Sequence, residues 1–404
     1  MNFVIFARNF YPQNDPEAFC STRFASALAK NGHSVHVVTA EYSNSANDYA
    51  KLVHSSIRIT RVQAPLEDIN ITGRISTLKY VNPFRKMIYE RDRRNLGAFV
   101  KATKKVLSLY DNPILITRAY PMMSLYVGYY CRKHAFKWVS HLSDPIPWKI
   151  EGSIMSRLQA LCIRHWIKRS FKAANLVSLT CSRAIRWYKE KYGDVVDVKK
   201  CIVTTHIGDM KLSADRKENM RVSGAIPIIL HSGGMYWGRG ELILDAIEAL
   251  NANGITCQFV QDRKVDAVLA ESFKRYPHAT LLNGERRVSE SIALMESATA
   301  VFVADFNSEL GYSPFLMSKF VYQIFGDKPI VVYAKRNSEK YDLCARYPEA
   351  GLFFAEQGSL DSLKNAICKA INCDTNCINR VGIRREFEED TIAQKFVTSC
   401  IEKF

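Results

Sequence analysis

Residues 301–333, VFVADFNSELGYSPFLMSKFVYQIFGDKPIVVY, read as strand, loop, helix, tight turn and strand, an order that leaves few folds open. Val301 to Ala304 is an apolar run that ends in a polar loop, and Ser313-Pro314 opens a helical segment with Phe315, Lys319 and Tyr322 at spacings of three and four. Gly326-Asp327-Lys328-Pro329 breaks that helix, and Ile330 to Tyr333 forms the next buried strand. Such a unit offers backbone N–H groups and a positive helix end at the carboxyl edge of a parallel sheet. Ser318 and Lys319 add a hydroxyl and a cation there, a set suited to a diphosphate. Taken alone, the same residues also fit an ordinary βαβ unit with a surface lysine.

The rest of the chain repeats this alternation. Strands are expected at Phe3 to Phe6, His33 to Thr39, Ile57 to Val62, Ile114 to Thr117, Trp138 to His141 and Leu176 to Leu179. A second series follows at Ile226 to His231, Thr256 to Val260, Ala279 to Asn283, Val301 to Ala304, Ile330 to Tyr333 and Gly351 to Ala355. Helical segments between them predict parallel, doubly wound α/β sheets. The first helix is placed at about Phe19 to Lys30, ended by Asn31-Gly32, and the last at about Arg384 to Lys403. At 404 residues the chain is too long for one core. No apolar run reaches the ~18 residues of a spanning helix, and the apolar start of MNFVIFARNFYP is too short for a leader, so it reads as a first strand. Eleven cysteines without CxxC spacing fit core residues in a reducing compartment.

Ser318-Lys319 followed at fixed distance by Lys328-Pro329 and an apolar strand resembles the nucleotide-sugar-binding segment of the GT-B glycosyltransferases. The resemblance is to their group 1, or glycogen-synthase-like, superfamily of bacterial polysaccharide and lipopolysaccharide assembly. The opening strand–loop–helix–Asn31-Gly32-His33–strand and the segment CIVTTHIGD, Cys201 to Asp209, are similar to the same family. The chain departs from it in places. Tyr322 stands where a glutamate is common, Asp327 replaces a turn glycine, the first acid of the family's Glu-x7-Glu motif falls on Pro314, and the first loop holds no glycine. Glu309 is the nearest substitute for the missing acid. The resemblance implies two Rossmann-like domains facing a central cleft. An acceptor-binding domain would span 1–209 and a nucleotide-sugar domain 210–385, with a C-terminal helix, 386–404, packing back on the first. A hinge near Gly208 would allow closure.

Candidate site residues follow the carboxyl ends of strands. Paired Gly233 and Gly234 let backbone approach a phosphate, and Arg239, before a helix from Glu241, can grip phosphate oxygens in a fork. With Ser318 and Lys319 they form the expected diphosphate site. The turn Gly284-Glu285-Arg286 faces the nucleobase in the family, and Tyr322 is placed with it; a simple βα turn is the alternative. In the first half, His141 and Asp144 end a strand and are candidates to orient an acceptor hydroxyl and take its proton, with Glu17 in the first loop as a further candidate. Trp148 can stack on a sugar or lipid head group, and His206 reads as structural. No Asp-x-Asp or metal-ligand spacing occurs, so no metal and no cofactor are expected, and the resemblance implies a nucleotide sugar as the substrate.

Charge divides the halves. Residues 1–209 hold 32 Lys and Arg against 15 Asp and Glu, a balance of +17, whereas residues 210–404 balance at −1. The excess lies in Lys79 to Lys105 and Arg157 to Arg186, where cations interleave with aromatic and aliphatic residues. That suits an anionic membrane surface; a plain solvated face is the alternative, and no nucleic-acid motif is present. The resemblance implies a glycosyltransferase, retaining and metal-independent, and with this charge division it points to a glycan or lipid-linked acceptor in the cytoplasm at the inner membrane face. A nucleotide-sugar epimerase-like enzyme and a non-catalytic GT-B scaffold are the other readings.

Overall fold

A computed structural model describes residues 1–41, 50–63, 96–119, 123–146, 154–208, 226–235, 240–263, 265–282, 284, 286, 288–306 and 309–404, with backbone alone over 154–159 and at 288. The chain divides into two compact units. One is Met1–Thr205 with Glu389–Phe404, and the other is His206–Glu388. The units therefore exchange the chain at 205/206 and again at 388/389, against the 209/210 and 385/386 boundaries expected from sequence.

The first unit is built on a seven-stranded parallel sheet in the order β3-β2-β1-β4-β5-β6-β7. Its strands are β1 (Asn2–Phe6), β2 (Ser34–Ala40), β3 (Arg58–Val62), β4 (Ile114–Ala119), β5 (Lys137–Leu142), β6 (Leu176–Leu179) and β7 (Cys201–Val203). Helices α1 (Pro16–Lys30), α2 (Leu96–Leu107), α3 (Met123–Cys131), α4 (Ile154–Ala173) and α5 (Ser182–Tyr192) connect them. Helix α1 starts three residues earlier than its apolar pattern suggests. Asp15 accepts from the N–H groups of Glu17 and Ala18 at 2.9 Å each, and Pro16 needs no partner for a missing donor. Gly32, at φ +78°, then ends it.

The second unit carries a six-stranded parallel sheet in the order β10-β9-β8-β11-β12-β13. Its strands are β8 (Ile228–Ser232), β9 (Gln258–Asp262), β10 (Ala279–Leu282), β11 (Ala300–Ala304), β12 (Ile330–Ala334) and β13 (Leu352–Glu356). Between and after them come α6 (Leu242–Ala252), α7 (Ala267–Phe273), α8 (Val288–Ser297), α9 (Ser318–Ile324), α10 (Glu339–Arg346), α11 (Leu360–Ile371) and α12 (Val381–Phe387). Phe302 on β11 centres the core, with its ring 6.1 Å from Phe259 and 6.0 Å from Tyr333.

Two helix assignments differ from the sequence reading, each for a local reason. Helix α9 begins at Ser318, not at Ser313-Pro314. The Ser313 N–H is drawn to the Asn337 carbonyl at 2.9 Å, and the Lys340 ammonium takes the Phe315 carbonyl at 3.1 Å. An acceptor that a helix from Ser313 would use is thereby occupied, and Phe315 stands outside the helix instead of on a face with Lys319 and Tyr322. The expected terminal helix is two. After α12 the chain is extended at Glu388, and α13 (Glu389–Lys403) joins the first unit. There Phe396 packs between Phe24, at 5.1 Å, and Phe3, at 6.1 Å.

Lys340 also pairs with Asp305 at 2.8 Å, and neither side chain is exposed to solvent. Removing one member of a buried pair strands the other charge in a medium of low polarity, at about 3–5 kcal/mol. Lys340→Ala is therefore expected to destabilise the protein by about that amount in urea unfolding. The double variant Lys340→Met/Asp305→Leu is expected to recover most of the loss.

Candidate functional site

In a doubly wound sheet the connections leave in opposite directions from one point, and a crevice opens there beyond the strand ends. In the second unit that point lies between β8 and β11, which are neighbours in the sheet. Gly233 follows β8 directly, and Lys319 stands in the first turn of the helix after β11. The structure brings these two together. A Cβ placed on Gly233 would lie 1.5 Å from the Lys319 Nζ and 2.2 Å from its Cε, so the ammonium end of the lysine rests on the bare Cα. Gly233 also has φ +119°, a region that L side chains rarely enter. The backbone conformation requires glycine here, and any side chain would also push the flexible Lys319 end away.

Neighbouring groups hold that loop. The Gly233 N–H donates to the Asp262 carbonyl at 3.0 Å, and its own carbonyl accepts from the Gln261 Nε2 at 2.7 Å. Asp262 is fully buried at the end of β9, where its carboxylate accepts from the Ser232 Oγ at 3.0 Å and the Arg286 Nε at 2.7 Å. Arg286, a candidate for base contact, is thus anchored to the strand beside the glycine loop. Gly284, at φ +147°, is exposed, and Ser318, Tyr322 and Gly234 are half-buried. Arg239 and Glu285 lie outside the described residues, as does Trp148.

The far end of α9 is held equally firmly, by residues that the sequence reading did not single out. The last carbonyls of a helix lack partners within it. Here Arg380 donates to the carbonyls of Gln323 at 3.0 Å, Gly326 at 2.6 Å, Lys328 at 2.6 Å and Ala350 at 2.7 Å. Arg384 reaches the carbonyls of Ile324, Phe325 and Gly326 at 3.1, 3.3 and 2.8 Å, and the Asp327 carboxylate at 3.1 Å. Burial, and then the charge of Arg384, bring the Arg380 pKa down to about 9. Gly208 completes the clamp. Its N–H donates to the Phe387 carbonyl at 2.9 Å, and the Phe325 ring fills the space that a Cβ would need, 1.8 Å away. No sequence motif marks two arginines more than fifty residues downstream as caps for this helix.

In the first unit the switch point lies between β1 and β4, and Glu17 faces it from the start of α1. Its carboxylate accepts from the Arg118 Nε at 3.3 Å and the Ser143 Oγ at 2.9 Å. Arg118, at the end of β4 and only 3% exposed, also donates to the Ser21 Oγ at 2.9 Å. Burial pushes the Glu17 pKa up, opposed by Arg118 and Ser143 and reinforced by the charges of Asp144 and Asp15. Asp144 is exposed, and its carbonyl accepts from the Tyr188 hydroxyl at 2.9 Å. His141 is buried within β5, with its Nδ1 2.9 Å from the Ser178 Oγ on β6. Glu17 and Asp144 are thus close enough to feel one another, while His141 is tied to the adjacent strand. Arg118 and Ser143 were missed by the sequence reading, although both follow the strand-end rule that selected His141. No group of three or more His, Cys, Asp or Glu among the described residues is arranged to hold a metal ion.

Glu17 gives a pH signature. The folded carboxyl holds its proton more tightly than the unfolded one, whose ordinary value is 4.5. Between those two values the native state binds more protons, so stability falls as pH rises through the window. Glu17→Gln, which cannot ionise, is expected to lack that decline in urea unfolding measured over a pH series. Gly233→Ala is expected to displace Lys319 and cost about 1–3 kcal/mol through its backbone conformation alone, read by the same unfolding.

No family model and no curated protein matches the sequence. Solved structures match along its whole length. WaaG, a glycosyltransferase involved in lipopolysaccharide biosynthesis, aligns with a TM-score of 0.59 at 14% identity, covering 99% of each chain. Trehalose-6-phosphate synthase aligns with a TM-score of 0.65 at 10% identity, over 100% of this chain and 99% of that one. The catalytic domain of starch synthase IV from Arabidopsis thaliana, bound to ADP and acarbose, gives 0.60 at 11%, over 100% and 99%. At such identities the likeness is one of fold. The chain has the GT-B fold, two doubly wound Rossmann-like domains of the kind found in group 1 glycosyltransferases.

Proposed function

We propose that the protein is a glycosyltransferase that moves a sugar from a nucleotide-diphosphate sugar to a glycan or lipid-linked acceptor, with retention and without a metal. The observation that carries this reading is the seat of Lys319 on Gly233 at the switch point of the second unit. A cation fixed against bare backbone at a parallel sheet's carboxyl edge is suited to the negative charge that grows on a departing diphosphate. Such a group needs no reorganisation as the bond breaks, which is where electrostatic catalysis gains most.

The roles in this proposal follow the sequence motifs and strand ends. Gly233, Gly234, Ser318 and Lys319, with Arg239, take the diphosphate. Gly284, Glu285, Arg286 and Tyr322 take the nucleoside. In the first unit Glu17, whose pKa burial raises, and Asp144 are the groups placed to manage the acceptor's proton. His141 supports them through β5, and Trp148 contacts the acceptor. The enzyme works in the cytoplasm at the inner membrane face, where the basic first unit meets its acceptor. Neighbours of the same fold that include a lipopolysaccharide glycosyltransferase and a starch synthase bound to ADP support the donor class.

The test is thermal stability against UDP, GDP, CDP, ADP and their sugars. A ligand at 100 times its dissociation constant adds about 2.7 kcal/mol of stability. The expected result is a rise with one nucleotide family that Lys319→Ala and Arg239→Ala each abolish. No rise with any nucleotide would overturn the proposal in favour of a GT-B scaffold without a donor.

A further inference from the structure

Helices α2, α3 and α4 pack successively against one another in the first unit. With the turn after α3 they comprise residues 96–107, 123–136 and 154–173, which carry ten Lys and Arg and two His and not one Asp or Glu. A helix face whose only role is solubility mixes both signs, because opposite charges support one another at spacings of three and four. These helices carry no carboxylate of their own to do so. The outward stripe of α4 is Leu161, His165, Lys168, Arg169 and Lys172, all exposed, with Leu161 at 55%.

Beside that stripe lies a cluster of amphipathic rings. Trp166 on α4 meets Tyr126 and Tyr129 on α3 at centroid distances of 4.3 and 5.8 Å, and Tyr126 meets Tyr130 at 4.6 Å. Tyr130 is 43% exposed. The Arg132 guanidinium stands 3.8 Å from the Tyr129 ring centre, and that of Arg169 lies 5.3 Å from those of both Tyr129 and Trp166. Guanidinium planes held on Tyr and Trp faces stay charged yet shed water readily. Tyr and Trp beside Lys and Arg form the combination that settles at the head-group level of a bilayer.

We infer that the α3–α4 face, centred on Tyr126, Tyr130, Trp166, Lys168, Arg169 and Lys172, is a docking surface for an anionic lipid bilayer. Charge selects the membrane, since each Lys or Arg near an anionic leaflet adds to attraction. The rings then enter between head groups and give a component that salt does not screen. No helix among the described residues is long and apolar enough to cross a membrane, so attachment through this face is peripheral. The inference rests on the reading that the acceptor lies at a membrane, and it names the residues that bring the enzyme to it.

The experiment is co-sedimentation of the full chain with phosphatidylcholine vesicles, with and without phosphatidylglycerol, over a salt series. Binding is expected only to the anionic vesicles. Lys168→Gln/Lys172→Gln is expected to weaken it about 25-fold, at about fivefold per cation, and to flatten its salt dependence. Tyr130→Ser, at an exposed ring, is expected to weaken it severalfold at every salt concentration. No binding, equal binding to neutral vesicles, or binding unchanged in both variants overturns the inference. Displacement of the vesicles by duplex DNA, with Tyr130→Ser as tight as wild type, overturns it in favour of nucleic acid. Nucleotide-induced stabilisation measured on the same variants separates the two questions, because none of these residues belongs to the second unit.

Discussion

The placement of one short helix governs the candidate donor site, and two guanidinium groups fix that placement. Helix α9 has only seven residues, too few to be stable alone. Its carbonyl end would otherwise present unpaired acceptors inside the protein, and Arg380 and Arg384 satisfy them together with the turn that follows. At the other end Lys340 holds the Phe315 carbonyl and the Asp305 carboxylate, which sets where the helix can start. Lys319 is therefore aimed by residues outside the helix that carries it. Its position on Gly233 follows from those anchors as much as from local sequence.

Much of the fold could be read from sequence because parallel strands buried on both faces are nearly continuous apolar runs. Val301 to Ala304, Ile330 to Tyr333 and Leu176 to Leu179 could hardly be anything else, and the structure has strands there. Helix ends were less legible. The start of α1 was available in Asp15-Pro16-Glu17, a capping residue, a proline and an acid in order, but the apolar pattern drew attention to Phe19. The start of α9 was not available at all, since it depends on Lys340 and Asn337, which meet Phe315 and Ser313 only in the folded chain.

The sites divide in the same way. Gly233 and Lys319 could be paired from sequence, because both follow strands that a doubly wound order makes neighbours. The asymmetry at Glu17 could not. Its raised pKa arises from burial working against Arg118 and Ser143, on three elements distant in sequence. A carboxyl in a polar loop gives no hint of that. Buried cysteines show the opposite case: burial pushes the thiols of Cys131 and Cys400 up to about 12, consistent with their reading as core residues.

The route of the chain has a consequence for how the protein is made. Phe396 fills the gap between Phe3 and Phe24, so the first unit combines residues made before the second unit with residues made after it. Every residue of the second unit leaves the ribosome in between. The second unit can close its sheet as soon as α12 is made, while the first must wait with part of its apolar core open until α13 arrives. Assembly thus runs from the inside of the chain outward: the half that begins first is the half completed last.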